Sequence, residues 1–486
     1  MTYSTVLHAL GWLILLLAAA CILPWMTALY AGEAGSFIAF SLGGLLAAFS
    51  GGALIMAFRD VRRRTSKSDL FLLVAGGWLV VPVFAAIPLY VSGGLPSLTD
   101  AYFEAVSGFT TTGASVVPSL DEVDRAVLVW RAVLQWLGGW VSIVMGAAVL
   151  APLGVGGMQL RVSPLTRADK SRALDRFRGT AGAVGGIYAA FTGACFFSIW
   201  AGGIPAFDAF CLALSTVSTG GFVPSDAGLA GYQAPWALFF LVIFMIAGAL
   251  NFATHRAAFR GSITEYREDP ELAYMLLAVL VGGILLTLAA LEHTGNLGTA
   301  LGSGLFTAIS LITTTGFVGP HEQVSGGLSA IFVIGFVLMG GATLSTAGGI
   351  KLMRISLLLK QSSRELMRLS HPHGIIPTRF GGRSLTIQIM KSVWAFFILF
   401  LVAYAAFTIL LAATGLEVEA ALVASASALG NAGPAYDLVR IGDEAMMPAY
   451  AEMNDLSKWL LMAAMIVGRL ELLALVALFS REQWKS

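Results

Sequence analysis

Four stretches of the chain read alike: SGFTTTGAS at 107–115, LSTVSTGGF at 214–222, ISLITTTGF at 309–317 and ASALGNAGP at 426–434. Each sets a short polar run and a glycine inside apolar sequence, and the copies recur at roughly hundred-residue intervals. Thr, Ser and Gly together at membrane depth leave backbone polar groups bare, which is tolerated only where protein or a watery cavity covers them. Four such copies imply four quarter-sites around one axis. That arrangement can line a pore.

The flanking sequence sets the class. The 486-residue chain is 57% hydrophobic and 12% charged, with a mean hydropathy of +0.82, whereas soluble domains carry about 25% charged residues. Apolar spans long enough to cross a bilayer as helices are expected at about 6–30, 37–57, 69–91, 126–153, 181–202, 235–258, 271–291, 327–358, 388–413 and 456–479. Basic residues cluster after the second, fourth, sixth and eighth spans, in runs such as Arg62-Arg63-Arg64, Arg161 to Arg178, Arg256 to Arg267 and Lys351 to Arg383. Intervals 92–124, 203–234 and 292–326 hold no Lys or Arg. The basic loops and both termini are therefore expected in the cytoplasm. LAAAC ending at Cys21 faintly resembles a lipoprotein cleavage site, but no basic residue precedes it, so an uncleaved first helix is expected. Cys21, Cys195 and Cys211 read as small buried hydrophobes, with no disulfide and no metal site.

Before each turn stands a short apolar stretch, at about 98–110, 206–217, 299–312 and 418–429. A dozen residues cannot cross a bilayer, so each stretch enters and returns on the extracellular side. Its C-terminal carbonyls, about half a negative charge, then point to the membrane centre and favour a cation. The turns Thr110-Thr111-Thr112-Gly113, Val217-Ser218-Thr219-Gly220, Thr313-Thr314-Thr315-Gly316 and Gly430-Asn431-Ala432-Gly433 can present stacked carbonyls that replace an ion's water. Glycine allows the dihedrals this needs. No carboxylate occurs in any turn, which excludes a ring of acids and suits a large monovalent ion, with potassium the natural candidate. Its ligands are expected at Thr111, Thr112, Ser218, Thr219, Thr314, Thr315, Asn431 and Ala432. One copy alone would read as a glycine-rich loop or a small-residue packing surface.

These residues resemble the Trk/Ktr/HKT superfamily of potassium uptake proteins, and most closely its TrkH branch. The motifs that carry the resemblance are TDAYFEAVSGFTTTGA at 99–114, QWLGGW at 135–140, LGVGGMQL at 153–160, FDAFCLALSTVSTGGF at 207–222 and NFATHRAAFRG at 251–261. REDPEL at 267–272, LSTAGGIK at 344–351, LKQSSRELMRLSHP at 359–372, LGNAGP at 429–434 and GRLELLALVALF at 468–479 complete them. The resemblance implies an all-α polytopic protein with two N-terminal helices (1–58) and four helix–pore-helix–helix repeats in pseudo-four-fold arrangement. The repeats are expected at 69–158, 180–260, 271–370 and 385–480. It also implies a homodimer in the cytoplasmic (inner) membrane and a cytoplasmic RCK-type nucleotide-binding ring (TrkA-like) that controls opening. A nucleotide would bind that partner and this chain no cofactor, because the glycines at 154–157 follow a membrane helix rather than a strand. In the superfamily, glycine in all four turns goes with potassium preference and serine in the first with sodium permeation.

The eighth span is interrupted by Gly340-Gly341-Ala342-Thr343-Leu344-Ser345-Thr346-Ala347-Gly348-Gly349. Each glycine costs roughly 1 kcal/mol in a helix interior, so the stretch reads as a close helix contact or as a broken helix whose loop blocks the pore. The resemblance implies the second, a gate spanning 340–351 and including Lys351, in which Thr343 and Leu344 are bulkier than usual. Arg469, inside the last span, costs about 3 kcal/mol to insert and must face water or a partner. It reads either as a structural charge paired, for instance, with Glu471 or as a pore-facing brake on cations, the role the resemblance implies. Arg131, Asp208 and Glu104 read as structural, and His371 and His373 as a solvated turn.

The sequence thus points to potassium uptake through a gated pore. The alternative is a sodium- or proton-coupled secondary transporter, although the repeats share one orientation rather than being inverted. No paired carboxylates, Ser–His or Cys–His pattern suggests an enzyme.

Overall fold

The computed structural model describes residues 4–59, 66–153, 156–158, 173–320, 328–371, 379–380, 383–442 and 446–472. The basic residues at 62–64 and 161–172, together with His373 and everything from 473 onward, lie outside them.

The described chain is helical apart from one tight antiparallel pairing of Arg379–Phe380 with Arg383–Ser384. Its helices are α1 (Ser4–Ala20), α2 (Ile22–Ala31), α3 (Ala34–Ala57), α4 (Lys67–Val91), α5 (Leu98–Phe109), α6 (Arg125–Met145), α7 (Ala173–Ala201), α8 (Ala206–Val217), α9 (Pro235–Ala249) and α10 (Phe252–Phe259). Then come α11 (Thr264–Glu268), α12 (Pro270–Thr294), α13 (Leu297–Ile312), α14 (Ala330–Met339), α15 (Leu352–Ser370), α16 (Ile387–Ala413), α17 (Val418–Leu429), α18 (Ala435–Arg440) and α19 (Asp455–Arg469).

Seven helical stretches among the described residues are long and apolar enough to cross a membrane, and eight if the bent pair α9–α10 counts as one. The remaining expected spans differ for physical reasons. The sixth, expected as one helix over 235–258, bends by 103° where α9 meets α10, and Asn251 caps the new helix by accepting the Ala253 N–H at 2.8 Å. The eighth breaks between α14 and α15. In the tenth, α19 ends at Arg469 and Glu471 takes a left-handed conformation (φ 54°), while 473–479 lie outside the described residues.

Of the spanning helices α6 is the innermost: 83% of its apolar window is buried, against 17% for α16. The N-terminal helices α1 and α3 pack on each other through small residues. A Cβ on Gly11 would lie 2.9 Å from the Gly51 carbonyl, so α1 and α3 approach backbone to backbone. The four short helices α5, α8, α13 and α17 fall where the short apolar stretches were expected. Two of them start on side-chain caps: Ser97 accepts the Asp100 N–H at 3.0 Å to cap α5, and Asn296 accepts the Gly298 N–H at 2.9 Å to cap α13.

Two buried ion pairs fasten α5. Lys458 of α19 meets Asp100 at 2.7 Å. Arg131 of α6 meets Glu104 at 2.7 Å, both fully buried, and Glu104 also accepts the Ser115 hydroxyl and the Val116 N–H at 3.0 Å each. Arg131 and Glu104, each read from the sequence as structural, are joined here in one pair. Removing one partner strands a buried charge, so Arg131→Leu should cost about 3–5 kcal/mol of stability. Unfolding followed in detergent checks this; a loss under about 1 kcal/mol would mean the pair is compensated.

Candidate functional site

The four short helices end identically. Their caps are Thr110, Ser218, Thr313 and Gly430. The next residue is left-handed each time: Thr111 (φ 53°), Thr219 (51°), Thr314 (57°) and Asn431 (53°). Its N–H returns to the helix, from Thr111 to Gly108 O, Thr219 to Thr216 O, Thr314 to Leu311 O and Asn431 to Ala428 O. One residue on, the N–H groups of Thr112, Gly220, Thr315 and Ala432 reach the carbonyls of Ser107, Ser215, Ser310 and Ser427 at 2.8–3.0 Å. This is the Schellman ending, which normally puts glycine at the left-handed position. Three threonines there are costly, by about 1–2 kcal/mol each, and such strain concentrates at working sites.

Because the four endings superpose residue by residue, they correct the second turn by one position. Gly221 (φ 85°), and not Gly220, is the counterpart of Gly113 (81°) and Gly316 (76°). Val217 is the last residue of α8 rather than part of the turn, and the counterparts of Thr111 and Thr112 are Thr219 and Gly220 rather than Ser218 and Thr219. The doubled glycine permits either register. The deciding signal was present in the sequence: a serine stands six residues before the glycine in every copy, at Ser107, Ser215, Ser310 and Ser427.

The turns close into a ring. A Cβ on Gly113 would overlap the Gly220 carbonyl oxygen, one on Gly221 the Thr315 carbonyl oxygen, one on Gly316 would crowd Pro434 at 3.1 Å, and one on Gly433 would overlap the Ala114 backbone. Each turn thus touches the next, and the fourth touches the first, where the Gly433 N–H also donates to Thr112 O at 2.5 Å. The fourth turn departs from the others in that Gly433 does not take a positive φ.

Loop 340–351 lies against this ring. Its neck is two glycines, Gly340 (φ 70°) and Gly349 (φ 74°), so close that a Cβ on Gly340 would overlap the Gly348 carbonyl. Ile350 N–H to Leu338 O (2.9 Å) and Leu352 N–H to Gly341 O (3.0 Å) tie it shut. The α9–α10 bend holds its flank: Ala342 N–H donates to Ala249 O and Phe252 N–H to Leu344 O. Its crown meets the left-handed residues. Gly348 N–H donates to Thr314 Oγ1 at 2.7 Å, Thr346 Oγ1 lies 3.1 Å from Thr219 Oγ1 and 3.2 Å from Val217 O, and a Cβ on Gly348 would overlap Gly430 O. The threonines therefore earn their strained dihedrals through side-chain contacts that glycine lacks.

Arg469 lies where the ring and the loop meet. Its guanidinium donates to Thr110 O at 2.5 Å, to Thr346 O at 2.6 Å and to the Thr111 hydroxyl. It joins ring to loop and does not pair with Glu471, which instead binds Arg354 at 2.6 Å. Lys351 donates to Ala347 O within the loop. A cavity of about 40 Å³ lies beside these groups, lined by Ser142, Leu344, Lys351, Arg469 and Glu471 among others.

All seven non-glycine residues with positive φ among the described residues lie in the turns (Thr111, Thr219, Thr314, Asn431), in the loop (Leu344, Lys351) or just past Arg469 (Glu471). The strain is local to one site. Chemically, that site offers clustered hydroxyls and backbone oxygens on one side and two basic side chains, Arg469 and Lys351, on the other.

Sequence reasoning missed Gln135 and Glu271. Glu271, fully buried at the start of α12, accepts the Thr343 N–H at 2.8 Å through Oε1. Its own N–H donates to Asp269, which also accepts the Thr254 hydroxyl. The REDPEL motif is thus the loop's tether. On the sequence expectation that loop 340–351 blocks a pore, Glu271→Ala should free the loop and raise resting flux about tenfold, the change that about 1.4 kcal/mol makes. Ion flux into vesicles measures it, and wild-type flux would mean the tether carries no load.

Comparison with known proteins agrees with this architecture. The TrkH model, described as a cation transport protein, matches residues 38–486. Over the full length of both chains, this one is 34% identical to the Trk system potassium uptake protein TrkH of Halomonas elongata. It is 31% identical to that of Escherichia coli K12, again over both full lengths. The crystal structure of the potassium transporter TrkH from Vibrio parahaemolyticus superposes over the whole of both chains, with a TM-score of 0.88 at 30% identity. With the ring, the broken helix and these full-length matches in agreement, the chain belongs to the TrkH family of membrane-spanning cation transport proteins.

Proposed function

We propose that this chain takes up potassium across the cytoplasmic membrane by conduction through the ring of four turns. In this reading Thr111, Thr112, Gly113 and their counterparts Thr219, Gly220, Gly221, Thr314, Thr315, Gly316, Asn431, Ala432 and Gly433 form the selectivity filter. Loop 340–351 and Arg469 form the gate beneath it. The single observation that carries the reading is the docking of that loop and that arginine on the left-handed residues of the turns. One assembly holds both the oxygens a dehydrated cation needs and the plug that denies it passage. The relatives, named as potassium uptake proteins and a potassium transporter, support the choice of ion.

The same reading places both termini in the cytoplasm, pairs two copies into a dimer, and assigns opening to a nucleotide-binding ring of RCK type on the cytoplasmic side. The run of basic residues through α15 and beyond faces that side.

Growth tests the proposal. A bacterium lacking its own potassium uptake systems, given this chain with a cytoplasmic Trk partner, should grow at micromolar potassium. It should lose that growth with the partner's removal. Failure to grow with chain and partner both present in the membrane would contradict it.

A further inference from the structure

We propose that Gln135 is a positioning residue that sets the second turn of the filter and, through Gly220, the preference among monovalent cations. The inference rests on the filter reading above. At the third turn position the first, third and fourth turns carry a side chain: Thr112, Thr315 and Ala432. Two of these brace their own turn, with Thr112 Oγ1 2.7 Å from Thr110 Oγ1 and Thr315 Oγ1 2.9 Å from Thr313 Oγ1. The second turn has Gly220 there, so the Ser218 hydroxyl, which bonds back to Leu214 O and Ser215 O as Thr110 and Thr313 do in their helices, meets no hydroxyl from the third position. Within the turn only Thr219 Oγ1 donates, to Ser218 O at 2.7 Å.

Gln135 supplies the brace from α6. It is fully buried. Its Nε2 donates to Gly220 O at 2.7 Å, and its Oε1 accepts the Phe222 N–H at 3.4 Å, so the carboxamide brackets Gly221 on both sides. The three atoms nearest a Cβ on Gly220 all belong to this carboxamide, Nε2 at 2.7 Å. Gly220 has no positive φ, so its backbone does not require glycine; the space taken by Gln135 does.

Gln135 also sits in a built stripe of α6. One turn earlier, Arg131 donates to Val223 O at 3.3 Å and lies 4.0 Å over the Phe222 ring. One turn later, a Cβ on Gly139 would meet Ser218 at 3.0 Å and Thr346 at 3.1 Å. The i, i+4, i+8 positions thus share one face of the helix, and all three address the second turn. A helix of the first repeat holds the filter segment of the second.

Two sets of variants test this by rubidium and sodium flux into proteoliposomes. Gln135→Met keeps the length of the side chain and loses both hydrogen bonds. It should lower the rubidium-over-sodium ratio about tenfold while a melting curve in detergent stays near wild type. Gly220→Ala should cut rubidium flux about tenfold, because its methyl and the carboxamide claim one space. Gly220→Ala combined with Gln135→Ala should recover flux to within about threefold of wild type, as in other turns that carry a side chain there. A wild-type ratio in Gln135→Met, with Gly113→Ser shifting it in the same vesicles, would overturn the role of Gln135 and leave the filter standing. If Gly113→Ser also fails to shift it, both fall. If Gln135→Met does not fold, the paired variants decide: a double variant no better than Gly220→Ala overturns the proposal.

Discussion

Gly113→Ser should lower the potassium-over-sodium permeability ratio by about tenfold or more. Gly113 has a φ of 81°, a region that costs a residue with a Cβ about 1–2 kcal/mol. The larger effect is steric, since the new Cβ would overlap the Gly220 carbonyl oxygen of the neighbouring turn. Either Gly220 moves off its bond with Gln135 or the first turn recoils, and in both cases the spacing of oxygens around an ion changes. A large, weakly hydrated ion depends most on that spacing, because it gives up its water to those oxygens. Permeability ratios in vesicles or bilayers read the effect directly. Unchanged ratios would place ion discrimination elsewhere in the chain.

Arg469→Ala should raise flux in the absence of any cytoplasmic partner, and so should deletion of 342–347. A unit charge about 4 Å from a cation costs about 4 kcal/mol at an effective dielectric constant of 20, close to a thousandfold in occupancy. Arg469 is that near to the first turn, with its Nε 2.5 Å from Thr110 O. It also loses its hold on Thr346 O when truncated, so charge and latch disappear together. Deleting 342–347 removes Thr346 but leaves the neck, where Gly340 and Gly349 already meet, so the shortened chain can close without displacing α14 or α15. We expect partner-free flux to rise at least tenfold in each variant, with the larger rise for the deletion. Tracer uptake into vesicles settles it; flux equal to wild type in both would mean that the loop and Arg469 do not form the barrier.

The short helices were legible in the sequence because a dozen apolar residues between a helix start signal and a Thr- or Gly-containing turn admit few other structures. Ser97, Asn296 and the serine six residues before each glycine are local signals of that kind. The second turn reads one residue early because two adjacent glycines satisfy a local pattern equally; the serine six residues before Gly221, whose carbonyl accepts the Gly220 N–H, chooses between them. The break in the eighth span was legible from its glycines, but its docking partners were not. Contacts such as Gly348 to Thr314, Glu271 to Thr343 and Arg469 to Thr110 join residues far apart in the chain, and no periodicity encodes them. Gln135 was hidden for the same reason, standing in the quoted QWLGGW motif without any local mark of what it touches. The bend at Asn251 was missed because hydropathy runs through it; only the capping asparagine marks the new start.

The most direct test of the account is uptake by the purified chain, alone in proteoliposomes, of potassium, rubidium, sodium and lithium, each driven only by its own gradient. Potassium and rubidium should enter faster than sodium and lithium, at a low rate set by the closed loop and raised in Arg469→Ala. Potassium uptake that waits on an added sodium or proton gradient, in wild type and Arg469→Ala alike, would contradict conduction through the ring and make this chain a coupled transporter.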